Sequence, residues 1–250
     1  MTTQKVSVLI TGANQGIGFG LASLLARSTS PTYHVLLCSR DLSKGKAAAA
    51  SLSNLPGTVE ALELDVTSAA SVATAGKYVA QVFPCLDVLI NNAAIAIYDE
   101  VTKDRVVLPE ALRQSYETNV IGAAAVTEAM LPSLRKSRDP RVVFVTSLLG
   151  SLTCAADPGS AYYDAVLPAY NSSKTALNMI MLCYHKQLSG KDGAKAVKVW
   201  ALCPGYRGTN LNPRGTGTAE GGGQVILDVI QGKRDEETGK IVHEDGVYAW

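Results

Sequence analysis

Three histidines (34, 185 and 243) and five cysteines (38, 85, 154, 183 and 203) leave this chain poor in metal ligands and disulfide partners. No C-x-x-C or H-E-x-x-H spacing occurs among them, so a zinc site has no frame. An odd number of widely spaced cysteines points to reduced thiols and a cytoplasmic compartment. Aromatic residues make up 6% of the chain, so a stacking platform for single-stranded nucleic acid would have very few rings to draw on. The formal net charge is +1, from 23 basic and 22 acidic residues, too weak a field to imply a nucleic-acid or membrane-surface partner. No apolar run approaches the roughly 18 residues of a membrane-spanning helix. The start, Met1-Thr2-Thr3-Gln4-Lys5 running into Val6-Ser7-Val8-Leu9-Ile10, shows no charged leader, long apolar core or cleavage site.

What the chain does have is core. Hydrophobic residues are 47% of 250 and charged residues 18%, which excludes disorder driven by charge and suits one sizeable domain. Short apolar, β-branched runs predict strands at Val6–Ile10, His34–Cys38, Val59–Leu64, Leu86–Ile90, Arg141–Thr146, Val197–Cys203 and Lys240–His243. Helical spacing of apolar residues falls between them at Gly16–Arg27, Leu42–Leu52, Ser68–Val82, Leu108–Arg135 and Pro168–Leu188. Thr67 or Ser68 is placed to cap the third helix, and Pro132 to interrupt the end of the fourth. Regular alternation implies an α/β fold: a doubly wound parallel sheet of about seven strands with helices on both faces, in a single domain over 1–250. The loosest stretch, Gly205–Gly223, carries seven glycines and is expected to be a mobile substrate loop.

Directly after the first strand stands Thr11-Gly12-Ala13-Asn14-Gln15-Gly16-Ile17-Gly18, opening an apolar helix. Glycine permits positive φ and close backbone approach there, and the helix N-terminus offers free N–H groups to a pyrophosphate. The spacing is G-x-x-x-G-x-G, distinct from the G-x-G-x-x-G of the ordinary dinucleotide fingerprint. The second strand ends at Cys38-Ser39-Arg40, where a cofactor with a free 2′-hydroxyl normally meets Asp or Glu. A hydroxyl and a guanidinium in that place favour a 2′-phosphate, hence NADP(H) over NAD(H), unless Arg40 merely faces water.

Ser147 follows the fifth strand, and Tyr170-Asn171-Ser172-Ser173-Lys174 lies on the next helix. Four positions apart, Tyr170 and Lys174 share one helix face. A phenol with an ordinary pKa near 10 is a poor proton carrier at neutral pH, and a nearby cation favours its phenolate. Taken alone, such a pair is also common on exposed helix surfaces.

Together these residues resemble the short-chain dehydrogenase/reductase family, from about Val6 to Gly246. Thr11–Gly18 is similar to its glycine motif, Leu64-Asp65-Val66 to its adenine-side motif and Asn91-Asn92-Ala93-Ala94 to its fourth-strand motif. Asn119 in Thr118-Asn119-Val120-Ile121-Gly122, then Ser147, Tyr170 and Lys174, then Pro204-Gly205 with Thr209, follow in order. The resemblance implies a Rossmann-type oxidoreductase that moves hydride between NADP(H) and a carbonyl or secondary alcohol of a medium-sized organic substrate. Ser147 would hold the carbonyl oxygen and Tyr170 would act as general acid or base. Lys174 would hold the nicotinamide ribose and depress the Tyr170 pKa, and Asn119 would anchor a water leading to Lys174. Cofactor contacts are implied for Gly12, Asn14, Gln15, Gly16, Ile17, Gly18, Ser39, Arg40, Asp65, Val66, Asn92, Ala93, Tyr170, Lys174, Pro204, Gly205 and Thr209. A regulatory NADP(H)-binding protein, or imine reduction, epimerisation or dehydration at the same site, are the alternative readings.

Three departures stand out. Ala94 replaces a family glycine, and Arg207 stands where the family commonly has an aliphatic residue. Its guanidinium either faces the substrate cleft or turns to solvent. Ser147 and Tyr170 are 23 positions apart, a longer spacing than usual, with the extra residues around Cys154–Tyr163. Monomeric carbonyl reductases of the family carry a longer insertion there, so a monomer or homodimer is expected rather than a tetramer.

Overall fold

The computed structural model describes residues 5–97, 108–190 and 195–250. Strand β1 (Val6–Ile10) leads into helix α1 (Gly16–Arg27), followed by β2 (Tyr33–Ser39), α2 (Leu42–Ala50), β3 (Thr58–Glu63), α3 (Ala69–Val82) and β4 (Val88–Asn91). A helical run follows: α4 (Leu108–Tyr116), a π-helical segment (Glu117–Gly122) and α5 (Ala123–Leu134). The chain then forms β5 (Arg141–Val145), α6 (Leu152–Ala156), α7 (Pro168–Gln187), β6 (Lys198–Leu202), α8 (Ala219–Ile230), β7 (Ile241–His243) and β8 (Gly246–Tyr248).

The strands form one sheet in the order β3-β2-β1-β4-β5-β6-β7-β8. Pairing is parallel from β3 to β7, and β8 returns antiparallel on β7. The eighth strand corrects the expected count of about seven. Strand order reverses between β1 and β4, and a crevice opens at the carboxyl ends of strands that diverge in this way.

Alternate residues of each central strand bury on opposite faces, which is why the strands read as continuous apolar runs. Val8, Ile10, Val143 and Trp200 pack toward Leu21 and Leu25 of α1 and Ile226 and Val229 of α8. Leu9, Leu89, Phe144 and Val199 face Val79, Met130 and Met181 on the other side. Each such Leu or Ile contributes about 1.5–3 kcal/mol by leaving water.

The expected loop to Gly223 ends earlier, because Gly221, Gly222 and Gly223 lie in or beside the first turn of α8. A Cβ on Gly223 would stand 2.7 Å from the Leu21 nitrogen, and one on Gly20 would stand 2.7 Å from the Ala219 carbonyl oxygen. Glycine therefore lets α1 and α8 approach backbone to backbone. Pro132 sits inside α5 without ending it; the interruption of the long helix comes instead at the π-helical segment. Ser68 caps α3 by accepting from Ser71 N.

Candidate active site

The turn after β1 has φ +61° at Gly12 and +58° at Gly16, a conformation that disfavours any Cβ. A Cβ on Gly12 would also stand 3.0 Å from the Ala93 Cα. Thr11 Oγ1 accepts from the backbone nitrogens of Asn92 and Ala93, both at 2.9 Å. Asn92 Nδ2 donates to the carbonyls of Thr11 at 2.8 Å and Gly12 at 3.1 Å. These bonds tie the end of β4 to the glycine turn. Gln15, at the N-cap of α1, makes no side-chain cap, which leaves the first-turn N–H groups to whatever the turn encloses. Its Oε1 accepts instead from Asn210 Nδ2 at 2.8 Å, across the cleft.

That cleft has a volume of about 390 Å³. Of the residues marked in the sequence, Gly12, Asn14, Gln15, Gly16, Ile17, Arg40, Asp65, Val66, Asn92, Ala93, Tyr170, Lys174, Pro204 and Thr209 line it. Asp65 is aimed by its Oδ1, which accepts from Thr67 N at 2.9 Å and Thr67 Oγ1 at 2.7 Å. Arg40 is exposed at the cleft wall. The neighbouring Asp41 is engaged elsewhere, capping α2 through Lys44 N at 3.1 Å.

Gly18, Ser39, Asn119, Ser147 and Gly205 stand outside the lining. The space a Gly18 Cβ would fill is taken by Asn92 Nδ2, 2.6 Å away. Ser39 is buried, and its Oγ accepts from Asp41 N at 3.2 Å. Gly205 forms a turn at φ +83° behind the wall. Ser147 starts a 3-10 turn, with its Oγ accepting from Leu149 N at 3.2 Å. Asn119 lies in the π-helical segment, a local widening often found at functional positions. Its Oδ1 accepts from Ile95 N at 2.8 Å, and its Nδ2 donates to Ile95 O and Ser173 Oγ, both at 3.0 Å.

Helix α7 presents Tyr170 and buries Lys174 to 2% exposure. Lys174 Nζ donates to Val145 O at 2.8 Å and lies 5.6 Å from the centre of the Tyr170 ring. Among the described residues no carboxylate pairs with it, and loss of water lowers its pKa from 10.5 to about 8. The strand end and the helix are fixed to each other by Thr146 Oγ1 donating to Asn178 Oδ1 at 2.5 Å and Asn178 Nδ2 donating to Gly150 O at 3.2 Å. A Cβ on Gly150 would stand 2.7 Å from Lys174, so only glycine permits this contact between the Ser147 turn and the Lys174 helix.

Arg207 takes neither of the two orientations expected for it. Its Nη2 donates to Glu244 Oε2 at 2.6 Å and its Nε to Pro204 O at 2.5 Å. The inserted stretch is likewise tied down. Ser151 Oγ donates to Ala249 O at 2.8 Å, and Thr153 N and Oγ1 donate to Trp250 O at 2.9 and 2.6 Å. Tyr162 packs against the core, and burial pushes its phenol up to about 12. Sequence reasoning missed Thr118, Thr146, Ile95, Ala96, Asn210 and Leu211 in the lining. Their types carry no chemical signal, and Asn210 is brought to Gln15 only by folding.

A glycine turn at the sheet's reversal point and the Tyr170–Lys174 pair line one cleft. The profile of the short chain dehydrogenase family matches residues 6–218, and the chain belongs to that family. It is 36% identical to the short-chain dehydrogenase/reductase tropE of Talaromyces stipitatus, over 98% of this chain and 97% of that protein. It is also 36% identical to the short-chain dehydrogenase anuI of Penicillium roqueforti, over 96% and 95%. Among solved structures it is similar to an NADPH-bound carbonyl reductase from chicken fatty liver, with 25% identity, 99% and 100% coverage and a TM-score of 0.83.

Proposed function

We propose that this protein is an NADP(H)-dependent carbonyl reductase or alcohol dehydrogenase acting on a medium-sized organic ketone or secondary alcohol. The observation that carries this reading is the buried Lys174, which has no carboxylate partner among the described residues, beside Tyr170 in a cleft that the glycine turn also lines. The cradle fits a dinucleotide: Gly12 and Gly16 leave room for close approach, and α1 offers its uncapped first turn to a pyrophosphate. Asp65 would meet the adenine, and Arg40 a 2′-phosphate by charge-assisted hydrogen bonds. Arg40 in the wall, with Asp41 committed to α2, supports NADP(H). The NADPH in the similar chicken carbonyl reductase agrees with it.

When bound, the nicotinamide supplies the hydride. Ser147 stands outside the lining, and its Oγ, which accepts from Leu149 N, keeps its own proton to donate to a carbonyl oxygen that reaches it. Tyr170 passes its phenolic proton to that oxygen as charge develops, or removes it in the oxidative direction. Lys174, charged at pH 7, favours the phenolate by proximity. Asn119 fixes Ile95 and Ser173 around the pair, which holds the floor of the site in place.

The test is a panel of ketones and aldehydes, with NADPH oxidation followed optically in wild type and in Tyr170→Phe. Turnover by wild type that is lost in the variant supports the reading. Equal turnover by both, or none by wild type across the panel, counts against it.

A further inference from the structure

We propose that Arg207 is a positioning residue: paired with Glu244, it locks the Pro204–Thr218 segment shut over the cleft and so sets how long a bound dinucleotide is retained. The inference rests on the reading of the cleft as a dinucleotide site.

The Arg207 side chain is 12% exposed, and its partner Glu244 lies in the turn between β7 and β8. That turn is itself held, because Arg234 Nη2 donates to His243 O at 3.2 Å and Gly246 O at 3.4 Å. The segment winds around the arginine. Gly208 N donates to Gly217 O at 2.7 Å, and Gly217 N to Tyr206 O at 3.0 Å. A Cβ on Gly217 would stand 2.5 Å from Arg207 Nη1, one on Gly222 3.2 Å from its Cγ, and one on Gly215 2.1 Å from its carbonyl. Gly217 and Gly222 therefore leave room for the Arg207 side chain, and Gly215 for its backbone. Glycines also make the open segment entropically favourable, so the closed form needs a tie. A planar fork that binds a carboxylate and a carbonyl together supplies one.

The segment's other side reaches the glycine turn. Thr209 stands 3.6 Å from where a Gly16 Cβ would be, and Asn210 bonds Gln15. Through Arg207, the sheet edge at Glu244 thus holds the wall of the cleft.

The experiment compares wild type, Glu244→Gln and Arg207→Met by two readouts. One is the rate of tryptic cleavage after Arg214, which is exposed within the segment, followed by mass spectrometry. The other is the NADPH dissociation rate by stopped-flow fluorescence. Glu244→Gln, a change at a half-exposed carboxylate, is expected to raise both rates about fivefold. Arg207→Met should raise them by about tenfold or more. Added salt should accelerate cleavage in wild type but not in Glu244→Gln, a response that a merely structural role would not give. Unchanged cleavage and dissociation in Glu244→Gln overturn the lock, even if Arg207→Met fails to fold. Absence of NADPH binding to wild type would count against the dinucleotide reading alone, and the cleavage rates would then decide whether the lock exists.

Discussion

Arg141, the first residue of β5, is 5% exposed, and Lys174, bonded to the last residue of the same strand, is 2% exposed. Arg141 is surrounded by acceptors: Asp139 and Asp235, each at 2.5 Å, and Val229 O at 3.0 Å. Lys198 bridges both carboxylates at 2.9 and 2.6 Å, and the guanidinium lies 5.5 Å from the Trp200 ring centre. Hydrogen bonding from Arg141 holds the Asp235 carboxyl below its usual range. At the carboxyl end, Lys174 has one carbonyl and, among the described residues, no carboxylate. Desolvation pulls its pKa down. Burial alone does not separate these two cations; their partners do. The first arrangement holds strands and loops together, whereas the second costs stability, as expected for the catalytic cation proposed at Lys174.

Removing each charge should break the molecule in opposite ways. Tyr170→Phe and Lys174→Met are each expected to lower turnover with NADPH by about 10²- to 10⁴-fold. Thermal unfolding of Lys174→Met should stay level or move upward, because a desolvated charge is gone. Arg141→Met should do the reverse, costing about 3 kcal/mol by stranding its carboxylates. That is a fall of roughly 6–12 °C for a chain of this size, with NADPH affinity unchanged. A fall in affinity without a fall in melting temperature would reverse the roles given to the two ends.

The pH dependence sharpens the contrast. The pKa of Lys174 is lower in the folded chain, about 8 against 10.5. Between those values the unfolded chain holds a proton that the native chain has released, so this group's contribution to stability rises with pH. Below about 8 both states are protonated and the full penalty stands. The stability difference between wild type and Lys174→Met should therefore narrow from pH 7 to pH 10, as read by denaturant titration. The depressed Asp235 carboxyl acts in the acid range: its contribution is present above its unfolded pKa and lost as pH falls through the lower folded value. Asp235→Asn should flatten that acid limb.

Much of the fold is legible in the sequence. Strands buried on both faces read as apolar runs, which places β1 at its observed bounds and β2, β5 and β6 within a residue at each end. Helix α1 carries its glycines at the start and is equally plain. Helix α8 is hidden because Gly221, Gly222 and Gly223 look like loop, whereas they are there for contact with α1 and Arg207. Strand β8 has three residues on a sheet edge, with intermediate or exposed side chains, too short for any pattern. The π-helical segment leaves no trace in composition. At the site, the glycine turn is marked by its spacing after β1, whereas Asp65 and the Tyr170–Lys174 pair stand out only through the resemblance to the family's motifs taken together. The pairing of Arg207 with Glu244 spans 37 positions, and no local pattern encodes it. Nor does spacing show that Asn119 spends its amide on Ile95 and Ser173.

The most direct test is titration of the purified protein with NADPH and, separately, NADH, followed by nicotinamide fluorescence and repeated with Arg40→Asp. NADPH should bind much more tightly than NADH, with the preference lost in the variant. Equal or tighter NADH binding would contradict the role of Arg40, and binding of neither would contradict the dinucleotide site itself.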